Sequence, residues 1–293
     1  MDLDILKLDS EEDKNWREWI RCNGKGLSKI LSEILENMAN LQFSRKVTRK
    51  MLRDWKKNRF SIPIWIIKDI CKQFPEEKER ILSKIETVKV FGSREIKFPR
   101  KLSETLAEVI GRHCGDGSCN NTNSDFKVSL KEHLSLVKEH KKDLKKLFEI
   151  DAKIIPINEK CYEVVFRSKI FARMLEKIFK LPLGKEKTFK AEEPEIIKNA
   201  GLKIRVAFLR GLIDTDGCIK KSGVLSFTTV NEKLALSVFD ILSRLSLNPT
   251  FIREKTRKVF SIQLGKEKTR EFLRIVGSKN LRILERGLGP GNR

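Results

Sequence analysis

The chain has 293 residues, with 62 lysines and arginines against 40 acidic residues, and its formal net charge is +22. That excess favours a polyanionic partner, and nucleic acid fits it better than an anionic membrane does. No apolar run approaches the roughly eighteen residues that a membrane-spanning helix needs, so we expect a cytoplasmic protein. The six cysteines form no Cys-x-x-Cys pair, which favours reduced thiols over disulfides or a zinc site.

Residues 1–95 predict a small all-α domain that resembles a helix-turn-helix module. Apolar residues recur with a helical period from Leu27 onward, and Ser61-Ile-Pro63 predicts the start of a later helix. Residues 44–59 hold eight basic side chains against one acid. If this segment is a helix that enters a DNA groove, the side chains sharing its exposed face are Arg45, Arg49, Arg53 and Lys56. A solvated basic face is the alternative.

Two later stretches carry the same pattern, Leu106-Ala-Glu-Val-Ile-Gly-Arg-His-Cys-Gly-Asp-Gly117 and Phe208-Leu-Arg-Gly-Leu-Ile-Asp-Thr-Asp-Gly217. Each is a helical pattern that stops at an Asp-Gly pair, and glycine at this place predicts a left-handed helix cap. A carboxylate there lies at the negative end of the helix dipole, which is unfavourable. Because Asp116 and Asp216 occupy matching positions, we expect a cation to be held between them.

Each stretch is predicted to be the first helix of a repeat, and the elements occur in the same order in both repeats: helix, two strands, helix, two strands, helix. Residues 100–190 and 191–293 therefore predict tandem αββαββα repeats related by a pseudo-two-fold axis. Antiparallel hairpins in such repeats give an α+β fold, with the sheets available for binding DNA.

The second stretch resembles the namesake motif of the LAGLIDADG homing endonucleases, which it matches at Leu209, Gly211, Leu212, Ile213, Asp214, Asp216 and Gly217. The first stretch is looser, with Cys114 in place of Asp214 and Gly115 in place of Thr215. The resemblance covers residues 100–286. It implies a site-specific endonuclease that cuts both strands of a long, asymmetric duplex by Mg²⁺-dependent phosphodiester hydrolysis, with Mn²⁺ able to substitute.

Close packing of the two motif helices requires small residues along their seam, which are Gly111, Gly115 and Gly211. Such packing would bring Asp116 and Asp216 together, where a divalent cation relieves their repulsion. The resemblance implies that they are the catalytic acids, with the preceding Gly115 and Thr215 in the same metal site. It also implies a basic residue near the catalytic waters after each repeat's last helix: Lys187 or its neighbour Lys185, and Lys279. Ordinary surface lysines are the alternative.

Sheet residues that alternate away from the apolar face are the candidates for contacting DNA. They are Lys127 and Ser129 in the first repeat, and Ser226, Thr228, Arg253, Ser261 and Gln263 in the second. Arginine and glutamine can recognise guanine and adenine edges in the major groove, whereas lysine meets phosphates. The alternative for each of these residues is that it lies on the outer face of the sheet in contact with solvent alone.

Other functions are compatible with the same scaffold. A DNA-binding transcription regulator that does not cleave, or an RNA-splicing maturase, would keep the fold, although neither needs both acids. An intein is disfavoured because the chain begins Met-Asp-Leu. The histidines His113, His133 and His140 form no catalytic set, which excludes acyl hydrolysis of the serine-protease type. We expect a monomer that binds double-stranded DNA, with intron RNA as a further candidate partner.

Overall fold

The computed structural model describes residues 1–13, 16–37, 41–122, 125–254, 256 and 258–288, without the side chains of Asn37, Asn121, Thr122, Asp125 and Lys185. The chain divides into two compact units. One comprises Asp4–Arg100, and the other comprises Met1–Leu3 with Lys101–Arg293. Within the described ranges, every helix is too short or too polar to span a membrane.

The Asp4–Arg100 unit contains four α-helices and a small antiparallel sheet in its described residues. The helices are Leu27–Asn37 (α1), Arg49–Lys56 (α2), Ile64–Gln73 (α3) and Lys78–Leu82 (α4). The strands are Arg21–Asn23 (β1), Ile62–Pro63 (β2), Thr87–Lys89 (β3) and Ile96–Lys97 (β4), in the order β2-β1-β3-β4.

The prediction of an all-α N-terminal domain is therefore wrong. Its strands have only two or three residues, too few to show an alternating pattern, and they are held by pairing between distant parts of the unit. Cys22, Ile62 and Val88 bury one face of this sheet. The Ser61-Ile-Pro63 segment, predicted to open a helix, instead contributes β2, and α3 begins at Ile64 with Pro63 as its N-cap.

The larger unit contains the two predicted repeats. Its helices are Glu104–Cys114 (α5), Leu134–Phe148 (α6), Lys169–Arg173 (α7), Lys187–Lys190 (α8), Glu195–Lys198 (α9), Leu202–Asp216 (α10), Glu232–Arg244 (α11), Lys266–Ile275 (α12) and Leu281–Leu288 (α13). A π-helical stretch, Met174–Ile178, continues α7. The first-repeat strands are Gly117–Thr122 (β5), Asp125–Glu132 (β6), Lys153–Pro156 (β7) and Tyr162–Arg167 (β8). The second-repeat strands are Gly217–Ile219 (β9), Leu225–Thr229 (β10), Thr250–Glu254 (β11) and Val259–Leu264 (β12).

The predicted αββαββα order is confirmed in both repeats. The two sheets have equivalent antiparallel orders, β7-β8-β6-β5 and β11-β12-β10-β9. Each sheet packs one face on helices, α6 in the first repeat and α11 in the second, so Val128 and Leu130 are completely buried. The other face of each sheet is left for polar side chains, which is the arrangement that alternation predicts.

Candidate active site

Helices α5 and α10 pack so closely that their backbones touch. A methyl group at Gly111 would overlap the carbonyl oxygen of Phe208, and a methyl group at Gly211 would overlap that of Glu108. At the end of the seam, a methyl group at Gly115 would overlap Oγ1 of Thr215. The three glycines therefore line the seam because larger side chains would force the helices apart.

Gly117 and Gly217 are glycines because no larger side chain fits at these positions. The prediction that they form left-handed helix caps is wrong. Neither glycine has a positive φ, and Gly217 is extended with φ −78° and ψ 147°. Each opens the first strand of its sheet directly after the acid. A methyl group at Gly117 would overlap His113, and one at Gly217 would overlap the carbonyl oxygen of Ile213.

Asp116 and Asp216 lie together at this end of the seam. Asp116 follows α5 and Asp216 is the last residue of α10, and both side chains reach solvent although protein surrounds their other sides. Partial burial raises the pKa of Asp116, and Glu132 raises it further. Partial burial also raises the pKa of Asp216 to about 7, with Asp116 as the next cause. The two acids thus disfavour each other's charge.

Lys187 lies beside both acids. Its Nζ donates to the carbonyl oxygen of His113 at 3.2 Å and to those of Gly115 and Gly117, where the dipole of α5 favours a cation. Burial lowers the pKa of this lysine, an effect that Cys114, Asp216 and Asp116 partly oppose. The structure therefore places the Lys187 ammonium at the end of α5, close to Asp116 and Asp216.

Glu132, at the end of β6, is a third carboxylate near the pair. It raises the pKa of both Asp116 and Asp216, and it accepts from Arg282 Nη2 at 3.2 Å and from Asn280 Nδ2 at 3.4 Å. Glu132 is not among the site residues predicted from the sequence. The sequence does contain an indication of it. Alternation along β6 puts Glu132 on the inward face with Val128 and Leu130, and a charged residue on an inward face is costly unless it is paired or functional.

The residues that precede the two acids, Gly115 and Thr215, have oxygen atoms that are already engaged in hydrogen bonds. The carbonyl oxygen of Gly115 already accepts from Lys187, and the buried Thr215 hydroxyl donates to the Leu212 carbonyl oxygen at 3.0 Å. No group of three or more His, Cys, Asp or Glu side chains within the described ranges is arranged to hold a metal ion. Asp116 and Asp216 would therefore need water or substrate oxygens to complete a metal's coordination.

Lys279 has different surroundings from Lys187. Its Nζ pairs with Glu108 Oε1 at 2.9 Å and with Asp143 Oδ2 at 3.3 Å. Arg112 joins the same two carboxylates, and Arg210 of α10 binds Glu108 Oε2 at 2.7 Å. Burial alone would raise the pKa of Glu108, but Arg112, Arg210 and Lys279 together hold it below its ordinary value. This buried ionic cluster, and not the acid pair, is where the Lys279 side chain is engaged.

Asp214 connects the C-terminal loop to the acid-bearing end of α10. Its buried carboxylate accepts from Ser278 Oγ at 2.5 Å and from the Lys279 backbone N–H, and Asn280 Nδ2 donates to its carbonyl oxygen at 2.7 Å. Burial nevertheless raises the pKa of Asp214 to about 6. Its counterpart in the first motif, Cys114, is also buried.

The N-terminal candidates do not all share a helical face. Because α2 begins at Arg49 with Thr48 as its N-cap, Arg45 lies before the helix, and the prediction is wrong for that residue. The Arg45 guanidinium pairs with Asp9 at 3.4 Å, donates to the Asp13 carbonyl oxygen at 3.0 Å and stacks over Trp65. The remaining residues do lie on one side of α2, where Arg49 and Arg53 are exposed and Lys56 is half-buried and pairs with Glu36.

In the second repeat, the outer face of the sheet forms a shallow concavity of about 620 Å³ bordered by all five candidates: Ser226, Thr228, Arg253, Ser261 and Gln263. Register puts Ser226 opposite Gln263, and Thr228 opposite Ser261, on this face. Arg253 instead pairs with Phe260, on the helix side, and stacks over that ring at 5.4 Å. Its predicted outward position belongs to Ile252, and Arg253 reaches solvent only because β11 is an edge strand.

In the first repeat, the outer face carries Lys127, which pairs with Glu163 at 3.4 Å. Ser129 shares this face but is covered by its neighbours and is buried, so it offers little contact surface. Further basic residues on the same face were missed. They are Lys131, Lys153 and Arg167.

The raised pKa values predict that the acid pair destabilises the metal-free protein. Both carboxylates are protonated in the folded and unfolded chain below about pH 4, so no cost arises there. The cost grows as the pH rises and is complete above the folded pKa of Asp216, about 7. Asp216→Asn should therefore raise the Tm by a few degrees near pH 8 and not near pH 4, measured by calorimetry with chelator.

The matched control is Glu159→Gln, which changes an exposed acid in the β7–β8 turn. Its Tm should follow the wild type at both pH values. A Tm gain for Asp216→Asn that is the same at both pH values would contradict the assignment of the effect to this carboxylate.

Comparison with solved structures finds similar chains at low sequence identity. The crystal structure of I-DmoI in complex with DNA and Mn is 19% identical, covers 61% of this chain and 98% of its own, and has a TM-score of 0.44. The homing endonuclease I-WcaI bound to its DNA recognition sequence is 15% identical, covers 59% of this chain and 81% of its own, and has a TM-score of 0.43. The N-terminal LAGLIDADG domain of DUF199/WhiA is 13% identical, covers 59% of this chain and 82% of its own, and has a TM-score of 0.40.

A search of curated proteins found no match. Among family models, the one described as a LAGLIDADG-like domain matches residues 203–289. This range begins with α10, whose end carries Asp216, and runs through the second sheet to α13. The similarity to a LAGLIDADG-like domain therefore extends over the second repeat of this chain, residues 203–289.

Proposed function

We propose that the larger unit is a site-specific DNA endonuclease. The observation that supports it is the meeting of Asp116 and Asp216, one from each repeat, at the end of a single helical seam. Each acid is followed at once by the first strand of its sheet, so the acids adjoin both polar sheet faces. A net charge of +22 suits a long polyanion lying across those faces.

The acid pair fits Mg²⁺, with Mn²⁺ as a substitute. Two crowded carboxylates with raised pKa values gain from a divalent cation, and Mg²⁺ is commonly held by one or two carboxylates plus water and substrate phosphate. When bound, the ion supplies an activated water and stabilises charge on the leaving oxygen. Asp116 and Asp216 would hold it between the repeats, with each acid serving one strand of the duplex.

The other residues of the site have separate roles in this proposal. Lys187, next to both acids, supplies positive charge near the scissile phosphate, and its lowered pKa eases proton exchange with water. Lys279 acts as a positioning residue, because its side chain joins the buried ionic cluster while its backbone N–H binds Asp214. Glu132 and Arg282 set the electrostatics on the Asp116 side.

The outer sheet faces would bind the duplex. Thr228, Ser261 and Gln263 offer hydrogen bonds to base edges in the second repeat, and Lys127 with its basic neighbours meets phosphates in the first. Because the two faces differ in side chains within one chain, the recognised site need not be palindromic and a monomer suffices. Binding should weaken as salt rises, since phosphate contacts release counterions.

The direct test is cleavage of a randomised duplex library by the full chain in Mg²⁺, followed by sequencing of the cut ends. We expect enriched double-strand breaks at one long, asymmetric sequence, absent when a chelator replaces Mg²⁺. Gel shift of the enriched sequence shows whether binding survives in chelator. A stable complex without product in Mg²⁺ would overturn the nuclease and favour a non-cleaving regulator on the same scaffold.

A further inference from the structure

The Asp4–Arg100 unit has a large cleft of about 840 Å³ whose lining is rich in aromatic rings: Trp16, Trp19, Trp55, Phe60 and Phe91. Three of these rings are exposed, Trp16 by 46%, Phe60 by 57% and Phe91 by 53%. Among the described residues, Phe189 is the one further aromatic side chain with such exposure. A concentration of exposed rings in one cleft marks a binding site, because isolated exposed apolar residues are common but clustered ones are not.

The backbone holds these rings in place. Phe91 lies at the tip of the β3–β4 hairpin, in a turn closed by the Ser93 N–H donating to the Val90 carbonyl oxygen at 3.0 Å. Gly92 has a φ of +74°, which that turn requires. The rings of Phe91 and Trp16 meet edge to face, with centroids 4.6 Å apart. The exposed rings thus belong to a built surface.

Basic side chains line the same cleft: Arg21, Lys46, Lys50, Arg59 and Lys89. Strand register places Arg21 directly between Pro63 and Lys89, so these three form a row across the sheet, and all three line the cleft. Asp54, the acid in the lining, is buried and pairs with Arg59 at 3.5 Å. The cleft is therefore positively charged.

Arg21 is poised for a ligand. Its guanidinium stacks over the Trp16 ring at 5.5 Å and donates from Nη2 to the Trp16 carbonyl oxygen at 2.9 Å. Its Nε is buried and has no hydrogen-bond partner among the described residues. Burial lowers the pKa of this arginine, so a nearby anion would relieve the cost of its charge.

From these contacts we infer that this cleft binds unpaired nucleotides of a single-stranded nucleic acid. Flat rings stack on base faces and interleaved cations meet the phosphates between them. A duplex cannot stack on these rings, because its base faces are already stacked inside the helix. The cleft also differs from the α2 face that carries Arg49, Arg53 and Lys56, because it is reached by Lys50, Met51 and Asp54 of that helix. The inference does not rest on the proposed nuclease.

The test measures fluorescence anisotropy of the full-length protein with labelled 20-nucleotide single-stranded RNA, single-stranded DNA and a blunt duplex. The variant is Phe60→Ala with Phe91→Ala, and Phe60→Tyr with Phe91→Tyr is its conservative counterpart. Loss of one stacked base predicts at least about a tenfold weaker single-strand Kd for the alanine variant, rescue by tyrosine, and duplex binding changed less than about twofold. Phe189→Ala, an exposed ring outside this unit, should change neither.

The outcomes separate the sources of the ligand and decide the proposal. Tighter binding of RNA than of DNA would assign the cleft to RNA with its 2′-hydroxyl, and equal binding would assign it to base and phosphate alone. Failure of wild type to bind either single strand overturns the proposal. So does an alanine variant that loses duplex and single-strand affinity equally while its far-UV circular dichroism stays native.

Discussion

Asp116→Asn and Asp216→Asn are each expected to reduce Mg²⁺-dependent double-strand cleavage by at least about a hundredfold, the scale of removing one charge-stabilising group from an active site. Asparagine keeps the shape of aspartate but cannot supply the negative charge that holds the cation. Neither change should weaken the fold, because each removes a carboxylate whose pKa the protein raises. Loss of activity in these variants would therefore report on chemistry.

Binding provides the second half of this prediction. DNA affinity, measured by gel shift on the sequence recovered from the library, should stay within about threefold of wild type, since the sheet faces are unchanged. Asp151→Asn is the matched control, because Asp151 is an exposed aspartate of the same unit that pairs weakly with Lys141 at 3.8 Å. Cutting by either site variant at the wild-type rate would remove the acid pair from the mechanism.

The repeats and the acid pair could be predicted because their signals are local. Helical periodicity, strand alternation and the Asp-Gly ends are each contained in short stretches, and the second copy supports the first. The seam glycines also follow from the sequence, since two helices that must approach closely need small residues where they touch. The structure shows such contact at Gly111 and Gly211.

What the sequence left open depends on contacts between distant residues. Glu108 meets Arg210 of the other repeat and Lys279 of the C-terminal loop, and no local pattern marks these partners. Arg253 was assigned to the outer face because alternation divides the residues of a strand into two sets but does not show which set faces outward. Only the pairing of Arg253 with Phe260 shows that Arg253 belongs to the inward set. The strands of the Asp4–Arg100 unit were missed for the same reason: pairing, and not propensity, forms them.

Gly211→Ala is expected to destabilise the larger unit by about 3 kcal/mol, the upper end of typical overpacking costs, against the trend of helix propensity. Alanine in a helix interior is ordinarily better than glycine by about 1 kcal/mol. At Gly211 the added methyl group would overlap the Glu108 carbonyl oxygen and press on the Arg112 backbone nitrogen, and backbone atoms of a packed helix cannot turn aside. The helices α5 and α10 must then separate.

Separation would also disrupt what the seam aligns. Arg210, one residue before Gly211, pairs with Glu108 across the seam, and breaking a buried ion pair on one side costs several kcal/mol. The acids at the end of the same helices would lose their alignment, so any Gly211→Ala protein that remains folded should also cut DNA more slowly. Stability and cleavage should therefore fall together, whereas in Asp216→Asn only cleavage falls.

Urea unfolding followed by circular dichroism measures this effect, with Gly265→Ala as the matched control. Gly265 is the N-cap of α12 in the same unit, has a φ of −59°, and has open space where a methyl group would lie. That variant should stay within about 1 kcal/mol of wild type, because the N-cap preference for glycine over alanine is no larger than that. If Gly211→Ala unfolded at the same urea concentration as Gly265→Ala, backbone contact between α5 and α10 could not be what holds the two acids together.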